Sequence, residues 1–278
     1  MSTSQSKRSP LLYLFLILAL LVFVGFYMMP LLGGMGQGNS PADTTPFVKV
    51  SVEKQQELEL EARGYQLTLK REPSNNNALR GLLNVRLEQG DLKNATEPLE
   101  KLANLHPEET GYTILLAQLK QRIEDYGGAI AAYYSILNSL PGNLEALQGL
   151  TSLLLQQNNA PKAIEQLQET IKIAPEVNAQ NPDSIDETAV KLLLGQVYLS
   201  QENSSAAIAV YDQAIDTSGD DWRPWLAKAM VWQQKGNISQ AKPLFTQAMS
   251  LAPEKYREDI QQLMVDSAPV DNQVEQEE

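Results

Sequence analysis

The chain has 278 residues, 43% of them hydrophobic, enough to bury the core of one or two domains. Its 34 Asp and Glu against 22 Lys and Arg give a net charge of -12, which repels phosphate backbones and anionic lipid surfaces and makes nucleic acid a disfavoured partner. The absence of cysteine excludes disulfides, thiol nucleophiles and thiolate metal sites.

Residues 1–10 form a short basic start with Lys7 and Arg8. From Leu11 to Met29 the sequence reads LLYLFLILALLVFVGFYMM, uncharged and, at 1.5 Å per residue, close to the length needed to span a hydrocarbon core of ~30 Å. Residues 11–30 are therefore expected to form a single transmembrane anchor, with Tyr13 and Tyr27 near the interfaces and Pro30 at its end. A cleaved signal peptide is the alternative, since a basic start precedes the apolar run; the run is long for that and no small-x-small site follows it. No Lys or Arg occurs after the run until Lys49, so the charge rule places the N-terminus in the cytoplasm and the following domain across the membrane. Over residues 31–51, Gly33, Gly34, Gly36 and Gly38 followed by Pro41 and Pro46 read as a linker. These glycines lack the preceding strand and the Lys-Ser/Thr ending of a phosphate-binding loop.

Residues 52–72 are expected to form a capping helix or half repeat. Beyond it, Pro73, Pro107, Pro141 and Pro175 recur every 34 residues. Ala95, Ala129 and Ala163 keep that interval and resume at Ala207 and Ala241 after a step of 44; each is followed four residues later by Leu99, Tyr133, Leu167, Tyr211 or Phe245. The ten extra residues read VNAQNPDSID before Thr188. Each period fits two antiparallel helices: the small Ala lets the axes approach to ~8–10 Å and the bulky residue one turn later fills the neighbouring space. Turns are expected at Gln89-Gly90-Asp91, Asn158-Asn159, Glu202-Asn203 and Lys235-Gly236-Asn237, and the recurring Pro is expected to stop the second helix. One such pair cannot bury both its faces, so the pairs must stack. Five repeats are placed at 76–109, 110–143, 144–177, 188–221 and 222–255, followed by a capping helix over 256–266 and an acidic tail over 267–278.

Titratable groups suited to catalysis do not converge in the sequence. The single histidine, His106, precedes Pro107 in an inter-repeat turn, and neither a second His nor a Cys exists to complete a ligand set. No catalytic residue, metal site or cofactor is expected. Asn-x-Ser/Thr triplets begin at Asn94, Asn203 and Asn237 in turn regions, where chance occurrence is the default reading. Trp225 and Trp232 read as packing residues, while Trp222, off the pattern, is open to packing or to anchoring a partner.

These residues resemble the tetratricopeptide repeat family. Trp225, Ala229, Trp232, Ala241, Phe245, Ala248 and Pro253 occupy the family's places in the fifth repeat, and Leu194, Gly195, Tyr198, Ala207, Tyr211 and Ala214 do so in the fourth. The first three repeats carry Arg86, Lys120 and Leu154 where the family prefers Tyr. The resemblance implies an all-α fold, a right-handed superhelix of antiparallel helix pairs behind the single N-terminal transmembrane helix. It also implies a concave groove lined by the first helix of each pair. Carried over place by place, the partner-binding residues would be Asn77, Arg80 and Asn84; Ile114, Gln118 and Gln121; Gln148, Ser152 and Leu155; Leu192, Gln196 and Leu199; Leu226, Met230 and Gln233. Only Arg80 and Asn84 look like the basic and amide clamp with which some members hold a C-terminal carboxylate, so a mixed amide and aliphatic groove for a peptide segment is expected instead.

The expected function is a membrane-anchored protein-protein interaction scaffold without enzymatic activity. The layout is similar to that of cyanobacterial thylakoid tetratricopeptide proteins that interact with light-dependent protochlorophyllide oxidoreductase, which implies that enzyme or an assembly factor as partner and a role in chlorophyll biosynthesis or photosynthetic complex assembly. It would then be a single-pass protein of the thylakoid or plasma membrane. The charge rule conflicts with that resemblance, because a cytoplasmic enzyme could not reach repeats on the far side. Two alternatives stay open: an envelope or translocation-associated chaperone-like factor with periplasmic repeats, and an enzyme with a site in the insertion.

Overall fold

The computed structural model describes residues 52–265. The expected anchor over 11–30, the linker over 31–51 and the acidic tail over 267–278 lie outside the described residues. Among the described residues all regular structure is α-helical, and no helix is long and apolar enough to cross a membrane.

A lone helix, α1 (Val52–Arg71), precedes five pairs: α2 (Asn76–Glu88) with α3 (Leu92–Leu105), α4 (Thr110–Arg122) with α5 (Tyr126–Ser139), α6 (Leu144–Gln156) with α7 (Ala160–Gln180), α8 (Glu187–Ser200) with α9 (Ser204–Thr217), and α10 (Trp222–Gln234) with α11 (Ile238–Leu251). A last helix, α12 (Glu254–Val265), follows. Every helix packs on the next in the chain, and α4, α6, α8 and α10 also touch one another in that order. The array is a solenoid of helix pairs in which contacts pass from neighbour to neighbour.

Local chemistry sets the helix ends. Asn75, Asp125, Asn143, Asp186 and Asn203 each accept a hydrogen bond at their side-chain oxygen from the backbone N–H three residues on, at 2.9 to 3.1 Å, satisfying donors that a helix leaves open at its start. Within each pair the turn passes through one left-handed residue: Gly90 (φ 73°), Glu124 (65°), Asn158 (54°), Glu202 (58°) and Gly236 (74°). The Asn-x-Ser/Thr triplets have the same local explanation. Asn203 and Asn237 are helix caps, and the Asn94 amide donates to Asp91 at 2.8 Å.

The recurring small and large residues form the core. Ala95, Ala129, Ala163 and Ala207 are fully buried and Ala241 is 1% exposed, while Leu99, Tyr133, Leu167, Tyr211 and Phe245 are at most 2% exposed. Where the family prefers Tyr, Arg86 and Lys120 are instead neutralised from both sides. Arg86 donates to Glu59 of α1 at 2.9 Å and lies 3.5 Å from Asp91, the cap of α3. Lys120 lies 2.7 Å from Glu100 of α3 and 3.6 Å from Asp125, the cap of α5. Each cation thus ties a first helix to the second helix before it and to the one after it. Leu154, in the third repeat, is simply buried at 2% exposure.

Pro175 does not stop its helix. Pro73, Pro107 and Pro141 fall just past helix ends, but α7 runs through Pro175 to Gln180, because the first residues of the insertion continue the helix. The rest of the insertion is pinned by Asn178, whose side chain bonds both the carbonyl and the N–H of Ile185 at 2.9 Å. Ile185 is buried at 2% exposure, and a Cβ on Gly142 would collide with this segment.

Candidate protein-binding groove

The first helices of successive pairs form a layer in which equivalent positions repeat on helices that touch. Gln118, Ser152 and Gln196 are exposed on α4, α6 and α8, and the equivalent Met230 on α10 is half-buried. Beside them Leu155, Leu192, Leu199 and Leu226 are half-buried, each resting one side on the core and leaving an edge open. Gln148 is half-buried as well. In the first repeat Asn77, Arg80 and Asn84 are exposed, and the Arg80 guanidinium sits 5.8 Å from the Tyr112 ring centre, a cation–π contact that orients it.

Some expected groove residues have internal duties. Ile114 is 3% exposed within the main core, so it packs and does not present itself to a partner; α4 carries apolar residues on several faces, and the family register alone does not identify which are covered. Gln121 donates to Gln156 at 2.6 Å, cross-linking α4 and α6. Gln233 donates to the Leu263 carbonyl of α12 at 2.9 Å, so the last helix occupies that amide. Trp222 stacks on Tyr256 of α12, with ring centres 5.0 Å apart and planes at 28°, which gives it a packing role at the C-terminal end.

The row carries little free charge. Arg223, at the start of α10, is held by Asp221 at 2.6 Å and Asp186 at 3.1 Å, and the Asp221 hydrogen bond pushes its pKa further up. Burial raises the Glu145 carboxyl above its ordinary value at the start of α6. Apart from the exposed Arg80 and Glu145, what remains is a surface of amides, a hydroxyl and apolar edges, suited to backbone hydrogen bonds and apolar contact with an extended or helical segment.

Two further features escaped the sequence reading. An open cleft of about 690 Å³ lies between α5 and α7, lined by Tyr126, Ile130, Tyr134, Leu154, Lys162 and Glu165. All but Leu154, a core residue of α6, lie on the second helices α5 and α7, and no sequence pattern marks a gap between second helices. Among the described residues, His106, Glu108 and Glu109 bring three potential metal-ligand atoms within 4.8 Å of one another. His106 Nε2 is engaged by Asn76 Oδ1 at 2.9 Å, and its Nδ1 lies 3.5 Å from Glu109 and 3.8 Å from Glu108, both exposed. An imidazole with two solvated carboxylates can form ordinary ion pairs without any metal.

Residues 124–181 and 192–254 each match the family described as tetratricopeptide repeat. Protein SLOW GREEN 1, chloroplastic, of Arabidopsis thaliana is 26% identical over 178 residues, which are 64% of this chain and 55% of the plant protein. Cellulose synthase operon protein C of Pseudomonas fluorescens is 26% identical over 164 residues, 58% of this chain and 12% of that protein. The chain thus spans about half of the first relative and a small part of the second. Among solved structures, yeast Tom70 is similar with a TM-score of 0.48 at 17% identity, covering 78% of this chain and 43% of that one. A thermophilic TPR protein in Thermus thermophilus has a TM-score of 0.40 at 17% identity, covering 69% and 98%.

Proposed function

We propose that this chain, a member of the tetratricopeptide repeat family through residues 124–181 and 192–254, is a protein-binding scaffold that holds one partner segment along its first-helix row and catalyses no reaction. The observation that carries this reading is the row itself. Gln118, Ser152 and Gln196 stand exposed at equivalent places on helices that touch, beside aliphatic edges that the core covers only in part. Such a surface can bind a peptide but holds no convergent acid, base or nucleophile. The insertion supports the same reading, since its Asn178 side chain and its buried Ile185 are spent on joining α7 to α8.

The scaffold would be tethered to a membrane by residues 11–30, so that its effect falls on where the partner resides and how long it survives. A partner in chlorophyll synthesis, such as light-dependent protochlorophyllide oxidoreductase, or in photosynthetic complex assembly is the finer form of the proposal; the word chloroplastic in the plant relative's name and the order of the segments support it. The charge pattern around the apolar run supports a cytoplasmic N-terminus and hence the alternative of an envelope factor with periplasmic repeats.

A photo-reactive residue placed in turn at Gln118, Gln196 and Lys162 tests the binding mode in native membranes. One partner band should appear from the two row positions and not from Lys162. A band from Lys162 alone would move the partner to the cleft between α5 and α7. Protease added to sealed vesicles of known orientation separates the two topologies.

A further inference from the structure

The two ends of the solenoid are finished differently. A terminal helix needs a polar outer face to close a stack of repeats in water. At the C-terminal end α12 buries Ile260 at 2% exposure and leaves Lys255, Glu258, Asp259, Gln261 and Gln262 outside. At the N-terminal end α1 buries Leu58 and Ala62 against α2 but leaves Val52 72%, Leu60 68% and Leu67 60% exposed.

The register of α1 explains the open face. A Cβ on Gly81 would collide with the Tyr65 ring, as one on Gly149 would with Tyr133. Tyr65 therefore stands to α2 as Tyr133, on the second helix of a pair, stands to α6. By this register α1 is the second helix of a pair whose first helix is not among the described residues, and among those residues nothing covers its Leu60 and Leu67. On that side Leu60, Gly64 and Leu67 fall at i, i+4 and i+7, one stripe of a helix. A Cβ on Gly64 would meet nothing within 4 Å, so another backbone can come close at the middle of the stripe.

We infer that this face is an interface with a second copy of the chain, formed by two α1 helices packed antiparallel about a two-fold axis near Gly64. In that arrangement Leu60 of each copy meets Leu67 of the other, so the leucine contact is made twice, as an isologous interface requires. Charge selects the direction. The exposed Glu53 and Glu57 lie toward one end of α1 and the exposed Arg71 at the other, so an antiparallel pair sets Glu57 beside Arg71 of its partner. A parallel pair would set Glu53, Glu57 and Arg71 each against its own like charge. For a chain of net charge -12, local complementarity of this kind is what self-association needs.

The chain has no cysteine, so introduced thiols report the geometry without background. In the full-length protein in mild detergent, Gly64→Cys should give a disulfide-linked dimer on gentle oxidation, and Gln262→Cys on α12 should not. Chains with Leu60→Cys mixed with chains carrying Leu67→Cys should cross-link several-fold better to each other than either does to itself. In the Gly64→Cys background, Glu57→Arg alone and Arg71→Glu alone should each lower the dimer yield several-fold, and the two together should restore it. Helical circular dichroism of each variant separates lost association from lost folding. A Gly64→Cys yield no higher than that of Gln262→Cys in a normally folded protein overturns the inference. So does preferred Leu60→Cys self-linkage, or an intramolecular disulfide between Gly64→Cys and Phe47→Cys in place of the dimer, which would assign the face to the chain's own N-terminal segment.

Discussion

The Tyr211 ring fills the space that a Cβ on Gly195 would occupy, which makes these two residues the close contact between α8 and α9. Both are buried, with Tyr211 at 2% exposure. The pairs Tyr133 with Gly149 and Tyr65 with Gly81 repeat the contact between a second helix and the first helix after it. The same ring and glycine thus close one repeat onto itself in the fourth pair and one unit onto the next elsewhere.

Gly195→Ala should therefore destabilise the array by about 1–3 kcal/mol through overpacking, despite the better helix propensity of alanine. Gly127 on α5, where an added Cβ meets nothing within 4 Å, is the control. Gly127→Ala should be neutral or stabilising by up to about 1 kcal/mol. Urea denaturation of both variants checks the contrast.

The turn positions give a second pair of opposite signs. Gly90 and Glu202 occupy equivalent left-handed sites at φ 73° and 58°. Gly90→Ala should cost about 1–2 kcal/mol, and Glu202→Gly should relieve strain by a smaller amount, roughly 0.5–1 kcal/mol, because glycine also adds freedom to the unfolded chain. Melting temperatures should move down and up respectively.

Arg86→Ala should destabilise by about 1–2 kcal/mol, since it leaves Glu59 and Asp91 facing one another at the edge of the α1–α2 contact. The Arg86 hydrogen bond holds the Glu59 carboxyl below its ordinary pKa of 4.5. A depressed folded pKa gives stability that is present above the unfolded value and lost as pH falls through the folded one. The wild type should therefore lose stability below about pH 4.5, and Arg86→Ala should lose less over that range in acid titrations of the unfolding midpoint.

At high pH the sign reverses. Burial, helped by the Glu145 charge, pushes the Tyr133 hydroxyl up to about 12 from 10.0. Above pH 10 the unfolded chain gives up this proton and the folded chain keeps it, so stability falls between pH 10 and about 12. The slope from one such group is about 1.4 kcal/mol per pH unit at most. Tyr133→Phe should remove its share, leaving that of Tyr211, which burial also raises.

Much of this architecture is visible in the spacing of a few residue types. The alanines from Ala95 to Ala241 and the large residues four places on are buried because a small contact point and a filled neighbouring space are physical requirements of close helix pairs. The charged substitutes were less legible. Nothing near Arg86 or Lys120 in sequence announces Glu59 or Glu100, which reach them from the preceding helix. Pro175 ends no helix because Glu176 to Gln180 are compatible with another helical turn, whereas the other three prolines lead into short turns. In the groove, Gln118 and Gln196 stand exposed, but Ile114 is covered, since an apolar residue on a helix with apolar residues on several sides gives no sign of which side is closed.

The most direct measurement of the central claim is the affinity of the captured partner for a Gln118→Ala, Gln196→Ala, Met230→Ala variant, compared with one altered at Tyr126, Ile130 and Lys162 in the α5–α7 cleft. These positions lie on or near the surface, so both variants should keep the helical spectrum of the parent. The first should bind at least about tenfold more weakly, and binding by the parent should vary little with salt, because few ion pairs in the row are open to screening. Unchanged affinity in the first variant with loss of binding in the second would contradict a partner held along the first helices.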